Sequence, residues 1–428
     1  MLGWSILTNI IGVMLIYFYL PPFNSGLVNL ISQVIILGTL NLPTLIVGAG
    51  RFVDAFYDPF LGQLSDRSKN PNGRRIPFMK WAIVPAMIFC VLVFYPIKNQ
   101  ESNYNSLWLA ITLILFFVSA TTYIIPYNAM LPEMAHTSDE KVKLSTFQQT
   151  GFVFGIIISS ATNNIADLFQ NAFSLGERIS AVQFSIVTLS VLGGIFMSVP
   201  VFTINERKYC KGKPSHLKIF PAIRQSFKNK NFIYYITADF SWYMALYIIV
   251  SGLLYFLTVL CGGKEEEGFF LMGTMVLCSL LFYPFINLFA NKIGKKKVML
   301  FSFAFLAVIF LCVFYLGKFP INPKTQMYLL SMGASLPLAT LGILPPAVLA
   351  EIAEEESKRT GENREGLYFA VKYFFVKLGQ TFGISLFAFL TLYGKDPGND
   401  FGLRLNGICG FVLCLIAFAV FSQFKENK

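Results

Sequence analysis

Charge is scarce in this sequence. Only 13% of its 428 residues are Asp, Glu, Lys or Arg, while 55% are hydrophobic and 16% aromatic. A water-soluble chain of this length needs far more polar surface, so the composition reads as a membrane protein with many spans. Histidine is nearly missing: there are two, His136 and His216, both in polar stretches. The seven cysteines, Cys90, Cys210, Cys261, Cys278, Cys312, Cys409 and Cys414, are scattered, most of them inside apolar runs, with no metal-ligand spacing. Metal-based and His-based catalysis are therefore not expected. No nucleophile–base pair, phosphate loop or attached sensor domain appears, which argues against a membrane enzyme or a receptor. A cleavable leader is also not expected. The run from Leu2 to Leu20 has no charged head and no small-residue cleavage site, and it reads as a first span.

What is present is length in apolar runs. A span needs about 20 such residues. Runs of this kind fall at 4–21, 40–64, 79–97, 106–131, 146–169, 181–203, 232–260, 268–291, 298–317, 325–350, 367–393 and 402–423. The apolar stretch 23–39 either extends the second span or lies at the interface. The net charge of +11 fits orientation in a membrane better than nucleic-acid binding. With the N-terminus placed inside, 24 of the 34 Lys and Arg fall in inner loops, seven in outer loops, and three, Arg51, Lys372 and Lys377, within spans. Both termini are expected to be cytoplasmic.

The longest polar segment, "NERKYCKGKPSHLKIFPAIRQSFKNKNF", divides the spans six and six. The expected organisation is a six-helix bundle over 1–204, a cytoplasmic linker over 205–230 and a second six-helix bundle over 231–428. Within the linker, "KIFPAIRQSFKN" is either a basic amphipathic helix on the inner surface or a plain charged connector. The halves echo each other. "GQLSDRSKNPNGRR" follows span 2 and "NKIGKKK" follows span 8, both Gly-punctuated basic turns. The expected fold class is an all-α membrane protein of the major facilitator architecture, with twelve transmembrane helices in two pseudo-symmetric bundles.

The second span carries "RFVDAFYDPFLGQLSDR". On a helix Arg51, Asp54 and Asp58 fall within about 60° of one another. A charge at the bilayer centre costs about 2.5–3.5 kcal/mol on insertion scales. Three on one face must meet partners or a polar interior. Arg51 offsets one carboxylate, and the other either takes a proton or binds a cation. Oxygens one helical turn apart suit a small hard cation such as Na⁺. A purely structural ion-pair cluster is the competing reading.

"RFVDAFYDPFLGQLSDRSKNPNGRRIP" resembles the span-2 signature of the glycoside–pentoside–hexuronide:cation symporters, the melibiose-permease-like branch of the major facilitator superfamily. Arg51, Asp54, Asp58, Pro59, Gly62, Asp66, Gly73, Arg74 and Pro77 carry the match. "EIAEEESKRTGENREGLYFAVKYFFVKLG" is similar to the family's connection into span 11, and "TYIIPYNAMLPEM" to the turn ending span 4. The resemblance implies a cation site for Na⁺, Li⁺ or H⁺ at Asp54 and Asp58, with Lys377 as an intramembrane charge partner beside Arg51. No other metal and no cofactor is implied. Lys372 is left without a role and is read as snorkelling.

The sequence also departs from the galactoside-transporting members. Span 1 has Ser5, Thr8 and Asn9 but no acid, and Ile124 and Ile125 stand where span 4 would carry one. The remaining candidates for substrate binding are Asn9, Tyr123, Tyr127, Asn128, Gln148, Gln149, Asp239, Trp242 and Tyr243. Each taken alone is more often a packed or helix-bonded residue than a ligand. Asp66, Arg67, Arg74 and Arg75 resemble the superfamily's gating turn. Glu351 and the neighbouring Glu354, Glu355 and Glu356 are read either as partners of the basic turns or as solvated charge. Glu365, at the start of span 11, joins the gating set.

The functional expectation is a secondary symporter that couples Na⁺ or H⁺ to a small polar solute, a sugar or glycoside, by alternating access. A lysolipid or amphiphile symporter with the same coupling is the alternative. The expected partners are a small-molecule substrate and the lipid bilayer, not nucleic acid, and the expected state is a monomer in a bacterial cell membrane.

Overall fold

The computed structural model describes residues 1–19, 21, 28–31, 35–36, 40–71, 73–172, 178–210, 224, 226–263, 267–361 and 364–426. Most of 23–39, and most of the "KIFPAIRQSFKN" segment, lies outside the described residues.

The described chain is nearly all helix. In lipid every backbone N–H and C=O needs an internal partner, and an α-helix supplies one within each segment. The first half contains α1 (Leu2–Tyr19), α2 (Leu42–Asp66), α3 (Ile76–Leu92), α4 (Asn103–Met134), α5 (Ser138–Ser160), α6 (Thr162–Ala172), α7 (Arg178–Thr203) and the single turn α8 (Glu206–Tyr209). The second half contains α9 (Lys230–Tyr255), α10 (Glu267–Ile293), α11 (Lys295–Phe314), α12 (Pro323–Thr360), α13 (Glu365–Thr391) and α14 (Phe401–Ser422). A π-helical turn, Phe256–Leu260, continues α9. The only strands among the described residues are β1 (Ile35–Ile36) and β2 (Leu40–Asn41), an antiparallel pair two residues long.

Nine described helices are long and apolar enough to cross a membrane, and α5 with α6 makes a tenth span bent by 44°. The helix α3 is apolar but has 17 residues. The helix α2 has 25 residues and four charges, Arg51, Asp54, Asp58 and Asp66. With α2 and α3, these described segments fall at the positions of the twelve expected spans. The fifth was expected at 146–169 as one piece. It starts earlier, at Ser138, because the polar turn "SDEKVK" remains helical beyond the apolar run, and it breaks at Ala161.

Burial is arranged for lipid rather than water. Trp81, Phe202 and Leu392 are among the most exposed side chains. The buried set includes Asp54, Asp58, Asp66, Arg75 and Arg364. Hydroxyls are satisfied locally: Thr8, Thr112, Ser119 and Thr122 each donate to the carbonyl four residues back. Small residues let backbones approach. A Cβ on Gly3 of α1 would lie 2.1 Å from the Gly193 carbonyl of α7.

The chain divides into two compact units, each built largely from one half. The first comprises Met1–Met134, Phe147–Ile219 and Thr360–Ala370, and the second Ala135–Thr146, Phe220–Arg359 and Val371–Lys428. In the first, α1 packs on α7, α3 on α4 and α7, and α2 on α4. In the second, α14 packs on both α9 and α11. Each unit includes a short helical segment from the other half of the sequence, the first turns of α5 and of α13.

Candidate functional site: buried carboxylates and capped turns

The helix α2 has two faces. Phe52, Phe56 and Phe60, four residues apart, are exposed, while Asp54 and Asp58 are 3% and 1% exposed. The 3.6-residue period alone puts the acids on the inner face. Asp54 Oδ1 accepts a 2.6 Å hydrogen bond from the Thr121 hydroxyl of α4. The sequence reading did not include Thr121; a hydroxyl one helix away has no motif to reveal it. Arg51 was expected to offset one of the acids. Its guanidinium carbon stands 4.4 Å from the Phe117 ring centroid. A buried aromatic face is an adequate partner for a guanidinium. Lys377 sits half-buried on α13 in the second unit.

Two turns further, α2 ends in an ion-pair cluster. Arg75 is fully buried and contacts three carboxylates: Asp66 at 2.6 Å, Glu133 at 3.0 Å and Glu365 at 3.5 Å. Arg74 adds a 2.8 Å pair to Glu133. Burial alone would lower the basicity of Arg75, but the surrounding carboxylates outweigh it and hold the guanidinium charged. Asp66 also caps α13, accepting from the backbone N–H of Gly366 at 3.0 Å and Leu367 at 2.9 Å. A carboxylate at a helix N-terminus answers both the unpaired N–H groups and the helix dipole. Close approach makes this possible. A Cβ on Gly62 would lie 2.5 Å from the Gly366 carbonyl, so only glycine fits. Arg67 is exposed and takes no part in the cluster.

Glu206, in the first turn after α7, closes the same turn from the other side. Its carboxylate accepts from the backbone N–H of Arg74 at 2.6 Å, Arg75 at 2.9 Å and Ile76 at 3.0 Å. Gly73 makes room. Its φ is +117°, and a Cβ there would lie 2.1 Å from Glu206 Oε2.

The second unit repeats this layout. Gly294, between α10 and α11, has φ +90°. Glu426, just past α14, accepts from the backbone N–H of Lys295 at 2.7 Å and Lys296 at 3.2 Å. The Lys295 ammonium pairs with Glu351 of α12 and donates to Ser138 Oγ at 2.6 Å. Lys141 pairs with Glu354, and Asn291 of α10 donates to Asp139 of α5. Glu356 pairs with Arg359 and accepts from Asn229, and Glu355 is exposed. Thus Arg75 with Glu133 corresponds to Lys295 with Glu351, and Glu206 to Glu426.

A family model for MFS/sugar transport proteins matches residues 1–394. The chain belongs to this family. It is 23% identical over 381 residues to the isoprimeverose transporter of Lactiplantibacillus pentosus, covering 88% of this chain and 74% of that one. It is 22% identical over 377 residues to the sodium-dependent lysophosphatidylcholine symporter 1 of Gallus gallus, covering 80% and 69%. The fold matches that of the Escherichia coli fucose:proton symporter with a TM-score of 0.70 at 10% identity, over 100% of this chain and 97% of the other. This MFS protein is therefore an integral, multi-pass membrane transporter and not an enzyme.

The polar candidates of the transporter's first unit are mostly engaged within it. The Asn9 amide donates to the Ser5 carbonyl at 2.8 Å, and Tyr123 to the Met197 carbonyl at 2.9 Å. Asn128 donates to the Ile124 carbonyl at 2.9 Å. Tyr127 stacks on Tyr123, with centroids 5.8 Å apart, receives the Met1 ammonium at 3.2 Å and is hydrogen-bonded to Gln148. Gln149 is half-buried on α5. Asp239 and Trp242 are buried on α9 in the second unit, and Tyr243 is half-buried beside them.

Proposed function

We propose that this transporter is a cation-coupled symporter, moving Na⁺ or H⁺ together with a small polar solute, a sugar or glycoside. The observation that carries the coupling is the buried pair Asp54 and Asp58, with the Thr121 hydroxyl on the first. An all-oxygen donor set of two carboxylates and a hydroxyl suits a hard cation. Equally, a carboxylate in such a place can hold a proton. The cation offsets buried negative charge, so its binding raises affinity for the solute, and linkage makes the effect reciprocal. Lys377 is assigned as a charge partner that responds to the cation's presence. The names of the relatives, among them an isoprimeverose transporter, support a sugar cargo.

The turn clusters are assigned as inner gates. In this reading, pairs such as Arg75–Asp66, Arg75–Glu365 and Lys295–Glu351 break and re-form as access alternates between the two sides. The excess of Lys and Arg in the inner loops supports placing both termini in the cytoplasm; we read the protein as a monomer in a bacterial cell membrane. The lysophosphatidylcholine symporter among the relatives favours one second reading, an amphiphile cargo with the same coupling.

Uptake into proteoliposomes, driven by a Na⁺ or a pH gradient and scanned across sugars and lysolipids, tests both readings. Accumulation should follow one of the gradients, and Asp58→Asn should abolish coupling in a folded protein. Uptake of every cargo that ignored both gradients would sink the symporter assignment.

A further inference from the structure

On α9, Tyr235, Asp239 and Trp242 lie at i, i+4 and i+7, within about 60° of one another on one face. They are 1%, 4% and 3% exposed. Tyr235 Oη, Asp239 Oδ2 and Trp242 Nε1 are shielded from solvent and have no hydrogen-bond partner among the described residues. Buried polar atoms are nearly always paired, so three orphans on one helical face call for an occupant. Their chemistry is mixed. The carboxylate oxygen accepts, the indole N–H donates, and the phenol does either. Hydroxyl groups on the occupant satisfy all three. The aromatic faces of Trp242 and Tyr243, with centroids 5.9 Å apart, add apolar surface of the kind that covers a sugar ring.

The charge of the cluster narrows the occupant. Lys372 of α13 is 4% exposed and acts electrostatically on Asp239. Its ammonium stands 6.0 Å from the Tyr373 ring centroid. One buried carboxylate and one buried ammonium make the cluster formally neutral. A cargo carrying a net charge would add an uncompensated buried charge, which is strongly unfavourable.

We propose that Asp239, Trp242, Tyr235 and Lys372 form the cargo-recognition centre of the second unit, and that it selects an uncharged polyhydroxylated solute over its anionic counterpart. This rests on the reading of the protein as a solute transporter, and it gives Lys372 a function as the counter-charge of Asp239.

The test is equilibrium binding by calorimetry to the purified full-length protein. The probes are neutral pentosides and hexosides, the matching methyl glucuronides, and lysophosphatidylcholine. A neutral glycoside should bind at least about tenfold more tightly than its uronide, the scale of one charged hydrogen bond. Asp239→Asn should weaken neutral binding by a similar factor. It should also shift preference toward the uronide, because Lys372 is then unopposed. Trp242→Phe keeps an aromatic ring and removes the donor, and should weaken neutral binding severalfold. Both variants should keep the parent's monodisperse elution and a Tm near the parent's, which reports that they fold. Preference of the parent protein for uronides or lysophosphatidylcholine would overturn the proposal. So would failure to bind any glycoside, or unaltered neutral affinity in both variants. Binding at equilibrium needs no gradient, so a glycoside that binds in this pattern but is not accumulated would refute coupling and support the assignment.

Discussion

Glu206 and Glu426 hold the same place in the two halves of the chain. Each follows the last span of its half, and each carboxylate accepts backbone N–H groups at the start of that half's third span, beside a glycine of positive φ. The halves therefore share a local solution as well as a helix count. The Glu206 cap is the more buried, at 4% exposure.

Replacing Glu206 by Ala leaves the N–H groups of Arg74, Arg75 and Ile76 without their acceptor. A lost charged cap at a buried site should cost about 1–3 kcal/mol. Thermal unfolding of the purified protein in detergent should show a clear drop in Tm, whereas Glu355→Ala, at an exposed position, should leave Tm unchanged. Equal melting of the two variants would remove Glu206 from the role of cap.

Gly73→Ala meets two penalties, the left-handed backbone and the Glu206 carboxylate. Gly398 supplies the comparison: its φ is +86° and nothing lies within 4 Å of a Cβ placed there. Gly398→Ala should cost only the backbone term, about 1–2 kcal/mol. Gly73→Ala should cost a further 1–3 kcal/mol or so from overpacking. The ranking can be read from denaturation midpoints of the two variants side by side.

Arg75→Met removes the one cation that Asp66, Glu133 and Glu365 all share. Stripping the partner from buried carboxylates typically costs about 3–5 kcal/mol. Arg75→Lys should recover only part of this, because a point-like ammonium cannot serve three carboxylates as the planar fork does. Folded yield and Tm should fall in the order Arg, Lys, Met. A Lys variant as stable as the parent would show that charge alone, not the fork, holds the cluster.

Thr121→Val is nearly isosteric and deletes the hydroxyl on Asp54. If the Asp54–Asp58 pair holds the cation, the Na⁺ or H⁺ concentration for half-maximal uptake should rise about tenfold, the lower end of the effect of losing a supporting group. Thr121→Ser should behave like the parent. An unchanged concentration dependence in the Val variant would exclude Thr121 from the cation site.

How much of this was legible in the sequence depended on whether a residue acts along its own helix or across to another. The buried face of α2 follows from the spacing of Asp54 and Asp58, and Gly62, Gly73 and Asp66 stood out through the family signature. Thr121, Glu133 and Glu206 did not, because each works on a partner brought close only by tertiary packing. Glu206 acts on backbone N–H groups, which leave no trace in side-chain spacing. Arg51 illustrates another limit: spacing put it on the face of the acids, but its contact with the Phe117 ring of another helix could not be read from spacing. The span ends were misjudged where polar helix continues past the apolar run, as in α12, expected at 325–350 and running to Thr360.

The placement of Thr360–Ala370 in the first unit has a consequence for biosynthesis. Domains tend to fold in order as the chain is made. Asp66, Arg75 and Glu133 emerge from the ribosome early, but the N–H groups of Gly366 and Leu367 that Asp66 accepts are made only after most of the second half has been translated. The first bundle must therefore wait, with one acidic side chain short of its final contacts, until the eleventh span is inserted. Completion of the first bundle therefore overlaps synthesis of the second, and a nascent chain arrested before Gly366 should expose the α2–α3 turn to proteolysis.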